Sequence, residues 1–445
     1  MTANKSDSEL LRHLQENSFG YFVHEVNRKN GLVLDKTEED WPASIAAVGM
    51  ALTAYPVGVE RHFMTRAEAV ERTLTTLRFF AASEQSTAED ATGYRGFYYH
   101  FLHMQSGRRA WKSELSSIDT ALLIAGVLAA AEYFDGAADG ETEIRALART
   151  LYERVEWDWI LQGGPTICHG WRPEADAGFL PYRWEGYDEA LILYLLALGS
   201  PTHPVPPACY QAWCSTYEWK KIYGIYHLYA GPLFIHQLSH VWVDFRGVAD
   251  ACMREKNSDY FENSRRATMV QEQYGARNPL GMRHRSELCW GLSASDGPGP
   301  ATKKIDGVER VFFDYIARGA PYGPDDGTLA PWAVVASLPF APEIVLPTVQ
   351  NFRKLKVQVA NPYGFKASIN PLFDVQKDDD GVGWVSRFHF GINEGPTVLM
   401  IENFRSGLIW ALMRRCRPLV AGLRAAGFSG GWLDAMPDAP QPRRL

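Results

Sequence analysis

Residues 117–134 read SIDTALLIAGVLAAAEYF, a run in which only Asp119 and Glu132 carry charge. A helix that is apolar on every side has to be buried on every side. The next helical stretch, 141–156, is amphipathic, with its apolar residues spaced along one face. The sequence therefore predicts a buried helix followed by a helix that covers it.

The same alternation continues along the chain in both directions. A capping box of Thr65 and Glu68 opens an amphipathic stretch at 65–80. A proline in the first turn, Pro342, opens another. The further apolar runs are 43–55, 186–198, 232–247, 328–338 and 395–413, and the further amphipathic helices are 7–27, 208–221 and 259–274.

Six buried helices, each with an amphipathic partner, predict an all-α fold. The arrangement that satisfies them is an (α/α)6 barrel, a double ring of helices with the buried ones inside. An irregular all-α domain with the same helices is the alternative. We expect one domain over residues 1–430 and a disordered C-terminal tail over residues 431–445.

Composition excludes several classes of protein. The chain has 445 residues, 46% hydrophobic and 22% charged, which is enough to build a large core. Its net charge of −7 argues against a nucleic-acid partner. The sequence contains no run of 18 uncharged apolar residues, so no membrane-spanning helix is predicted. The six cysteines form no CxxC pair, which favours reduced thiols over a disulfide or zinc framework.

The first residues lack the apolar core of a secretion signal. We therefore expect a cytoplasmic protein, or a periplasmic one if a leader has been removed. The expected assembly is a monomer or a simple homo-oligomer.

Long connections separate the buried helices, at 83–116, 157–185, 275–327 and 355–394. Connections of this length inside a compact domain are usually functional. They hold several of the 14 tryptophans, beside Gly, Arg and Asp. Aromatic faces in a polar cleft suit stacking on sugar rings. The alternation within 355–394 also suits a short β-hairpin.

Acidic residues stand at the starts of two apolar helices. Glu114 and Asp119 precede and open one, and Asp188 and Glu189 open another in GYDEALILY. The helix dipole favours carboxylates there, so simple capping is the alternative for each. Two carboxylates that face each other across a pocket are also the minimum needed for glycoside hydrolysis.

Other polar and aromatic residues are candidates for a substrate cleft. The pair His100 and His103 has metal-binding spacing but no evident third ligand, so no metal and no other cofactor is expected. Nucleotide-binding and GxSxG motifs are absent from the sequence. The candidate substrate-binding residues are Arg95, Trp111, Trp184, Tyr187, His203, Trp242, Arg246, Trp290, Asp296, Trp384 and Glu394.

Nine stretches together resemble the glycoamylase-like family of bacterial proteins, which includes the endo-β-1,2-glucanases of glycoside hydrolase family 144. The resemblance runs from about residue 15 to residue 415. The stretches are GYFVHEVNRKNGLVLDK, PASIAAVGMALTAYPVGVERH, GFYYHFLHMQSGRRAWKSELSSIDTALLIAGVL, WEGYDEALILYLLALGSPTHP, GPLFIHQLSHVWVDFRG, GLSASDGP, DDGTLAPWAVVASLPFAPE, YGFKASINP and INEGPTVLMIENFRSGLIW.

The resemblance implies an inverting, endo-acting hydrolase of β-linked glucan, with β-1,2-glucan as the leading substrate. Carried over by motif, it implies catalytic roles for Glu114, Asp119 and Glu189, with Glu189 as general acid and Asp119 handling the water. The alternatives are an exo-acting β-1,2-glucooligosaccharide hydrolase or a transglycosylase on the same fold, and a non-catalytic glucan-binding protein. A sugar epimerase or lyase is a weaker alternative.

Overall fold

The apolar run at 117–134 forms a helix from Ser117 to Tyr133, and nearly all of its side chains are buried. Ser116 caps it by accepting a hydrogen bond from the Asp119 amide. The computed structural model that provides these positions describes residues 5–174, 176–355, 362–373 and 383–437. Of the described residues, 45% are helical, so the helix-rich class predicted from the sequence is confirmed.

Fifteen α-helices lie within the described residues. Most follow the predicted runs, and the capping box at Thr65 forms as expected. They are α1 Lys5–His24, α2 Ile45–Glu60, α3 Arg66–Ala82, α4 Ser117–Tyr133, α5 Asp139–Glu153, α6 Leu191–Leu198, α7 Pro207–Cys214, α8 Ala251–Glu255, α9 Tyr260–Arg277, α10 Pro331–Ala336, α11 Pro342–Lys354, α12 Gly391–Arg405, α13 Leu408–Met413, α14 Arg417–Ala425 and α15 Gly431–Asp434.

Short strands fill the long connections, so the expected all-α description is incomplete. A five-stranded sheet has the order β2-β3-β5-β6-β7, and the other strands pair two by two. The strands are β1 Ala43–Ser44, β2 Gly93–Tyr94, β3 Phe97–Tyr99, β4 Phe101–Leu102, β5 Leu115–Ser116, β6 Gly170–Arg172, β7 Gly178–Phe179, β8 Trp219–Ile222, β9 Ile225–Leu228, β10 Ala294–Ser295, β11 Ala301–Ile305, β12 Val308–Phe312, β13 Ile316–Ala317, β14 Ile369–Asn370 and β15 Trp384–Val385.

The strand pair β14–β15 is antiparallel and lies inside the segment where a hairpin was expected. Residues 356–361 and 374–382 of that segment lie outside the described residues. The structure describes only part of the tail that was predicted to be disordered. Gly431–Asp434 form the short helix α15, contrary to the expected disorder, and residues 438–445 lie outside the described residues.

One predicted helix is wrong. The run at 232–247 forms two 3₁₀ turns, Leu233–His236 and Leu238–Val241, instead of one buried α-helix. Gln237, between the turns, leaves helical geometry with φ −122°. Its side-chain amide donates to the Ala333 carbonyl at 2.6 Å, which ties the break between the two turns to helix α10.

Three other predicted helices are shorter than expected. The run at 186–198 is helical only from Leu191, and the run at 395–413 breaks at Gly407, which has φ +69°. The stretch at 208–221 is helical only to Cys214 and then enters strand β8.

The two central helices approach each other through glycines. A Cβ atom on Gly126 of α4 would lie 2.1 Å from the Gly49 carbonyl oxygen of α2. A Cβ atom on Gly49 would lie 2.2 Å from the Leu122 carbonyl oxygen. Both distances are too short for any side chain, so the two backbones are in direct contact.

Candidate active site

A cavity of about 660 Å³ opens where the starts of five helices meet. Ser44 and Ser116, the N-caps of α2 and α4, both line it. So do Glu189 just before α6, Trp332 at the start of α10 and Asn393 at the start of α12. Helix N-termini and their acidic residues therefore share one end of the molecule, as the sequence pattern predicted.

Glu189 forms one wall of this cavity. Its main-chain carbonyl accepts a hydrogen bond from the Ser239 hydroxyl at 3.4 Å, and the same hydroxyl oxygen accepts from the Ile192 amide at 3.1 Å. Ser239 thus joins the Glu189 segment to the first turn of α6. Burial, together with the nearby charge of Asp119, raises the pKa of Glu189 to about 7. A carboxyl group in this state holds its proton near neutral pH.

Asp188, the neighbour of Glu189, is turned away from the cavity. Its Oδ1 accepts from the Trp213 indole N–H at 3.1 Å and from the Ala190 amide at 2.9 Å. This local turn delays the start of α6 to Leu191. The structure therefore separates two adjacent carboxylates into one that supports the loop and one that faces the cavity.

A second acidic group lies in the same cavity. His100, between β3 and β4, donates from Nδ1 to Glu114 Oε1 at 2.9 Å, and its Nε2 lies 3.7 Å from Asp119 Oδ2. The Ser116 hydroxyl also donates to Asp119 Oδ2 at 2.6 Å. Strand β5 ends between Glu114 and Asp119, which brings both carboxylates to the same imidazole.

The charges in this group stabilise one another. Burial alone would lower the pKa of His100, but the carboxylates of Asp119 and Glu114 raise it to about 9. Burial alone would raise the pKa of Glu114, but the hydrogen bond from His100 brings it below its ordinary value. His100 is therefore an imidazolium at neutral pH and Glu114 a carboxylate.

Besides Asp314, two further carboxylates line the cavity. Asp35 Oδ2 accepts from the Trp41 indole at 3.0 Å, and burial raises its pKa. Asp296 accepts from the hydroxyls of Ser386 at 2.5 Å and Ser368 at 2.7 Å, and burial raises its pKa as well. The hydrogen-bond donors of Asp35 and Asp296 are neutral, whereas the donor to Glu114 is the His100 imidazolium.

Tyr315 completes the acidic lining from the loop between β12 and β13. Its side chain is half-exposed, yet its pKa is raised by withdrawal of the phenol from water and then by the charges of Asp35 and Asp296. The phenol is therefore neutral and able to donate a hydrogen bond within the cavity.

The rest of the lining is largely aromatic and includes Trp41, Phe101, Phe234, Trp332 and Phe390. Trp111 lies outside it and contacts Trp41 edge to face, with ring centroids 4.5 Å apart. Trp41 and Trp111 also border a neighbouring cavity of about 610 Å³. Aromatic surface thus continues from the acidic cavity to a second one.

The predicted site residues fall into three groups. Glu114, Asp119, Glu189 and Asp296 come together in the cavity. Trp111 is 53% exposed at its edge. Three predicted tryptophans are core residues whose indole N–H groups donate to buried hydroxyls: Trp184 to Ser117, Trp242 to Thr53 and Trp290 to Thr348. Trp184 still supports the site, since His169 of the lining stacks on it at 3.8 Å.

The other predicted residues lie outside the cavity lining and have partners within the protein. Arg95 pairs with Glu156, His203 with Asp158, Arg246 with Asp244, and Glu394 with His389, while Tyr187 stacks on Tyr260 and Trp384 packs beside Phe373 and Leu372.

Sequence reasoning missed Asp35, Trp41, Tyr315 and Trp332, and it considered His100 only as a metal ligand. A signal existed for the first two, because the polar segment DKTEEDWP, residues 35–42, directly precedes the apolar run at 43–55. Asp119 and Glu189 were predicted as site residues because they stand in the same kind of place, at the start of an apolar run.

Metal binding was also tested against the geometry. The ligand atoms of His100, Glu114 and Asp119 lie within 4.8 Å of one another. However, both imidazole nitrogens already face carboxylate oxygens, and His103 lines the neighbouring cavity instead. The group fits a triad of one imidazolium between two acidic side chains better than a metal site.

The chain is similar to proteins from two species, Parabacteroides distasonis and Bacteroides uniformis. A relative from Parabacteroides distasonis, named exo beta-1,2-glucooligosaccharide sophorohydrolase (non-reducing end), is 28% identical over 442 residues. The alignment covers 92% of this chain, and the chain spans only 56% of that relative's length. The crystal structure of beta-1,2-glucanase from the same species is 25% identical with a TM-score of 0.82, covering 96% of this chain and 61% of that one.

A further crystal structure, from Bacteroides uniformis, is 28% identical with a TM-score of 0.84 and covers 97% of this chain and all of that one. Its protein carries the same description as the one family model that matches this chain, "Putative glucoamylase", over residues 181–417. That match includes Glu189, Asp296 and Trp332. The family resemblance predicted from the sequence is thereby confirmed. Because the model spans more than half of the residues, the chain belongs to the Glycoamylase family.

Proposed function

We propose that the protein is a glycoside hydrolase that cleaves β-1,2-linked glucan with an acid and a base carboxylate. The observation that carries the proposal is Glu189, a carboxyl group with a pKa of about 7 in an aromatic cavity that also holds Asp119. A general acid needs a pKa near the working pH, and a carboxyl group with such a pKa that also lines a cavity is a candidate for this role.

In the proposed reaction, Glu189 donates its proton to the glycosidic oxygen as the bond breaks. Asp119 accepts a proton from the attacking water, directly or through a bridging hydroxyl group. This division of roles belongs to an inverting mechanism, in which the two carboxyl groups stand about 6.5–9.5 Å apart with the water between them. Burial of Glu189 and hydrogen bonding at Asp119 support this division of roles.

The imidazolium of His100 holds the carboxylate of Asp119 in position for the reaction. The positive charge of His100 favours the ionised form of Glu114 and also faces the Asp119 carboxylate. It also offsets the repulsion that two carboxylates and a substrate oxygen would otherwise create. His100 is thus a positioning residue in this mechanism, and Glu114 orients it.

The fold we propose for this chemistry is the (α/α)6 barrel. Helices α2 and α4 are buried along nearly their whole length, and the starts of five helices meet at one cavity. An inner ring of helices with parallel axes produces this convergence. The long connections then form the wall of the cleft.

The substrate class follows from both the cavity and the relatives. The names of the P. distasonis proteins refer to β-1,2-linked glucans. The aromatic surface of Trp41, shared by two cavities, suits a chain longer than one disaccharide and therefore endo action. Exo action is the second candidate, favoured by the name of the sophorohydrolase relative.

Within the described residues, no helix has the length and hydropathy needed to cross a bilayer.

Incubation with linear β-1,2-glucan tests the proposal, with β-1,3-, β-1,4- and α-linked glucans as matched polymers. We expect products from the β-1,2-linked polymer alone, as a ladder of sizes for endo action or one short product for exo action. NMR of the first product is expected to show the α-anomer, since inversion of a β-linkage gives it. Cleavage of a polymer with another linkage, or no cleavage of any polymer, would contradict the proposal.

A further inference from the structure

A pair of cysteines lies close together behind the Glu189 segment. Cys214 is the last residue of α7 and is 7% exposed, while Cys252, in the first turn of α8, is half-buried. Their sulfur atoms and a carboxylate oxygen of Asp250 all lie within 4.8 Å of one another. Thirty-eight residues separate the two cysteines in sequence, so the fold brings them together.

The two thiols are not equivalent. The Cys214 thiol donates a hydrogen bond to the Cys252 sulfur, which lowers the pKa of Cys252, and the same bond together with burial raises the pKa of Cys214. Thiolate is the reactive form of cysteine, and it has to be accessible. Cys252 therefore has the character of an attacking thiol, and Cys214 that of the thiol that resolves it.

A metal ion is the competing occupant, and the geometry disfavours it. Asp250 Oδ2 already accepts from the hydroxyls of Tyr210 at 2.7 Å and Tyr260 at 2.8 Å, and Oδ1 accepts from the Met253 amide at 2.8 Å. Structural zinc takes four ligands, and this cluster offers three within the described residues, one of them saturated. Two adjacent thiols remain as the chemically available groups.

We propose that Cys214 and Cys252 form a redox-active dithiol that a hydroperoxide converts into a disulfide. The Cys252 thiolate attacks the peroxide oxygen, which gives a sulfenic acid and releases one water after protonation. The Cys214 sulfur then attacks the Cys252 sulfur, expels the sulfenic oxygen as a second water, and forms the S–S bond. In total, two thiols lose two electrons and two protons, and one hydrogen peroxide becomes two water molecules.

Closing this bond acts on the segment that carries Glu189. The residue before Cys214 is Trp213, whose carbonyl accepts from the Gly186 amide at 2.9 Å and whose indole donates to Asp188 at 3.1 Å. The sulfurs have to approach to about 2.05 Å, which displaces the end of α7. The disulfide therefore weakens the two bonds by which Trp213 holds the loop from Gly186 to Asp188.

Mass spectrometry of the full-length chain tests the dithiol. The reduced protein is treated with hydrogen peroxide, alkylated and digested without reductant. We expect a cross-linked peptide pair that joins Cys214 to Cys252 and is two hydrogens lighter than its parts. In C214S, Cys252 should stop at a sulfenic acid that dimedone traps, and C252S should leave Cys214 alkylated. C209S, a buried cysteine on the same helix, is the matched control and should cross-link normally.

Three outcomes would overturn the proposal. One is a wild-type protein in which both cysteines are alkylated after peroxide treatment. Another is a Cys252 that oxidises further while Cys214 stays free. The third is stoichiometric Zn²⁺ that protects both thiols from alkylation, which would make the cluster a metal site. Hydrogen exchange adds a readout independent of activity: oxidation should speed exchange of the Gly186 amide, and unchanged exchange would overturn the link to the loop.

Discussion

Asp188 and Glu189 carry the same charge one residue apart, and their surroundings give them different tasks. Two nitrogen donors hold Asp188 in a turn, whereas the side chain of Glu189 has an apolar and acidic environment. Burial raises the pKa of both carboxyl groups, but only Glu189 lines the cavity. Glu189 is therefore the proposed proton donor.

Replacing Glu189 with a residue that cannot donate this proton is predicted to abolish most of the activity. The change Glu189→Gln should reduce kcat/KM on β-1,2-glucan by about 10²–10⁴-fold, the usual contribution of a general acid. The matched control is Glu185→Gln, the same change on an exposed residue that accepts from Thr166 and lies outside the cavity. Steady-state kinetics would decide, and full activity in Glu189→Gln would remove the residue from the mechanism.

The same substitution is predicted to stabilise the protein at high pH. The pKa of Glu189 is raised from 4.5 to about 7, so the folded state favours the neutral form and loses stability as pH rises through that interval. Above pH 7 the loss approaches about 3 kcal/mol, and glutamine does not incur it. Urea unfolding at pH 5 and pH 8 should therefore show Glu189→Gln gaining stability over wild type only at pH 8. An equal gain at both pH values would point to packing instead.

Sequence reasoning identified the acidic positions but could not assign them roles. Glu189 and Asp188 are equivalent as letters, and only the position of Trp213, a residue of another helix, separates them. The buried tryptophans show the same limit, because Trp184 and Trp290 have loop-like neighbours in sequence yet find hydroxyl partners in the core.

At the scale of elements, α2 and α4 are held together by backbone contact. Gly49 and Gly126 face each other with no room for a methyl group. Close packing of this kind fixes the spacing of the two helices, and both carry site residues at their N-terminal ends. The geometry of the acidic cavity therefore depends on glycines far down the helices.

A methyl group at this contact is predicted to be destabilising. The change Gly126→Ala should lower the free energy of unfolding by about 1–3 kcal/mol, because overpacking outweighs the better helix propensity of alanine. The control is Gly140→Ala in α5, where the nearest atoms are the side-chain ends of Val70 and Leu74 at 3.1 and 3.3 Å. We expect that change to be neutral or stabilising. Denaturant midpoints would measure both, and equal effects would contradict the contact.

Helices were predictable wherever the apolar pattern was the deciding force. Runs at 43–55 and 117–134 became α2 and α4 because burial on all sides suits them. The run at 232–247 is equally apolar but contains Gln237 and Ser239, whose side chains bond to α10 and to the Glu189 segment. Those partners lie far away in sequence, so periodicity alone could not predict the interruption.

At the scale of the whole molecule, the cavity joins residues from the first tenth of the chain to residues near its end. Asp35 and Trp41 arrive through pairing of Leu34 with Ala43 and of β1 with β4, and Asn393 arrives with α12. Such long-range pairing leaves little local signal, which explains why these residues were missed. It also means that a ligand in the cavity contacts most of the fold at once.

Ligand binding is therefore predicted to stabilise the entire molecule. For the inactive Glu189→Gln variant, β-1,2-glucooligosaccharide at about 100 times Kd should add about 2.7 kcal/mol. For a chain of this length, that corresponds to an increase in Tm of about 3 °C. Oligosaccharides with β-1,4 linkages are the control and should leave Tm unchanged. Equal shifts with both sugars would contradict linkage recognition.

The meeting of five helix starts at one cavity also bears on how such proteins diverge. The reactive carboxylates stand on or beside rigid helix ends, whereas Trp111 and Tyr315 come from the connections between them. Insertions in those connections can reshape the sugar-facing wall without moving the helices. A scaffold organised in this way can acquire a new linkage preference by exchanging loops while it inherits its acid and its base unchanged.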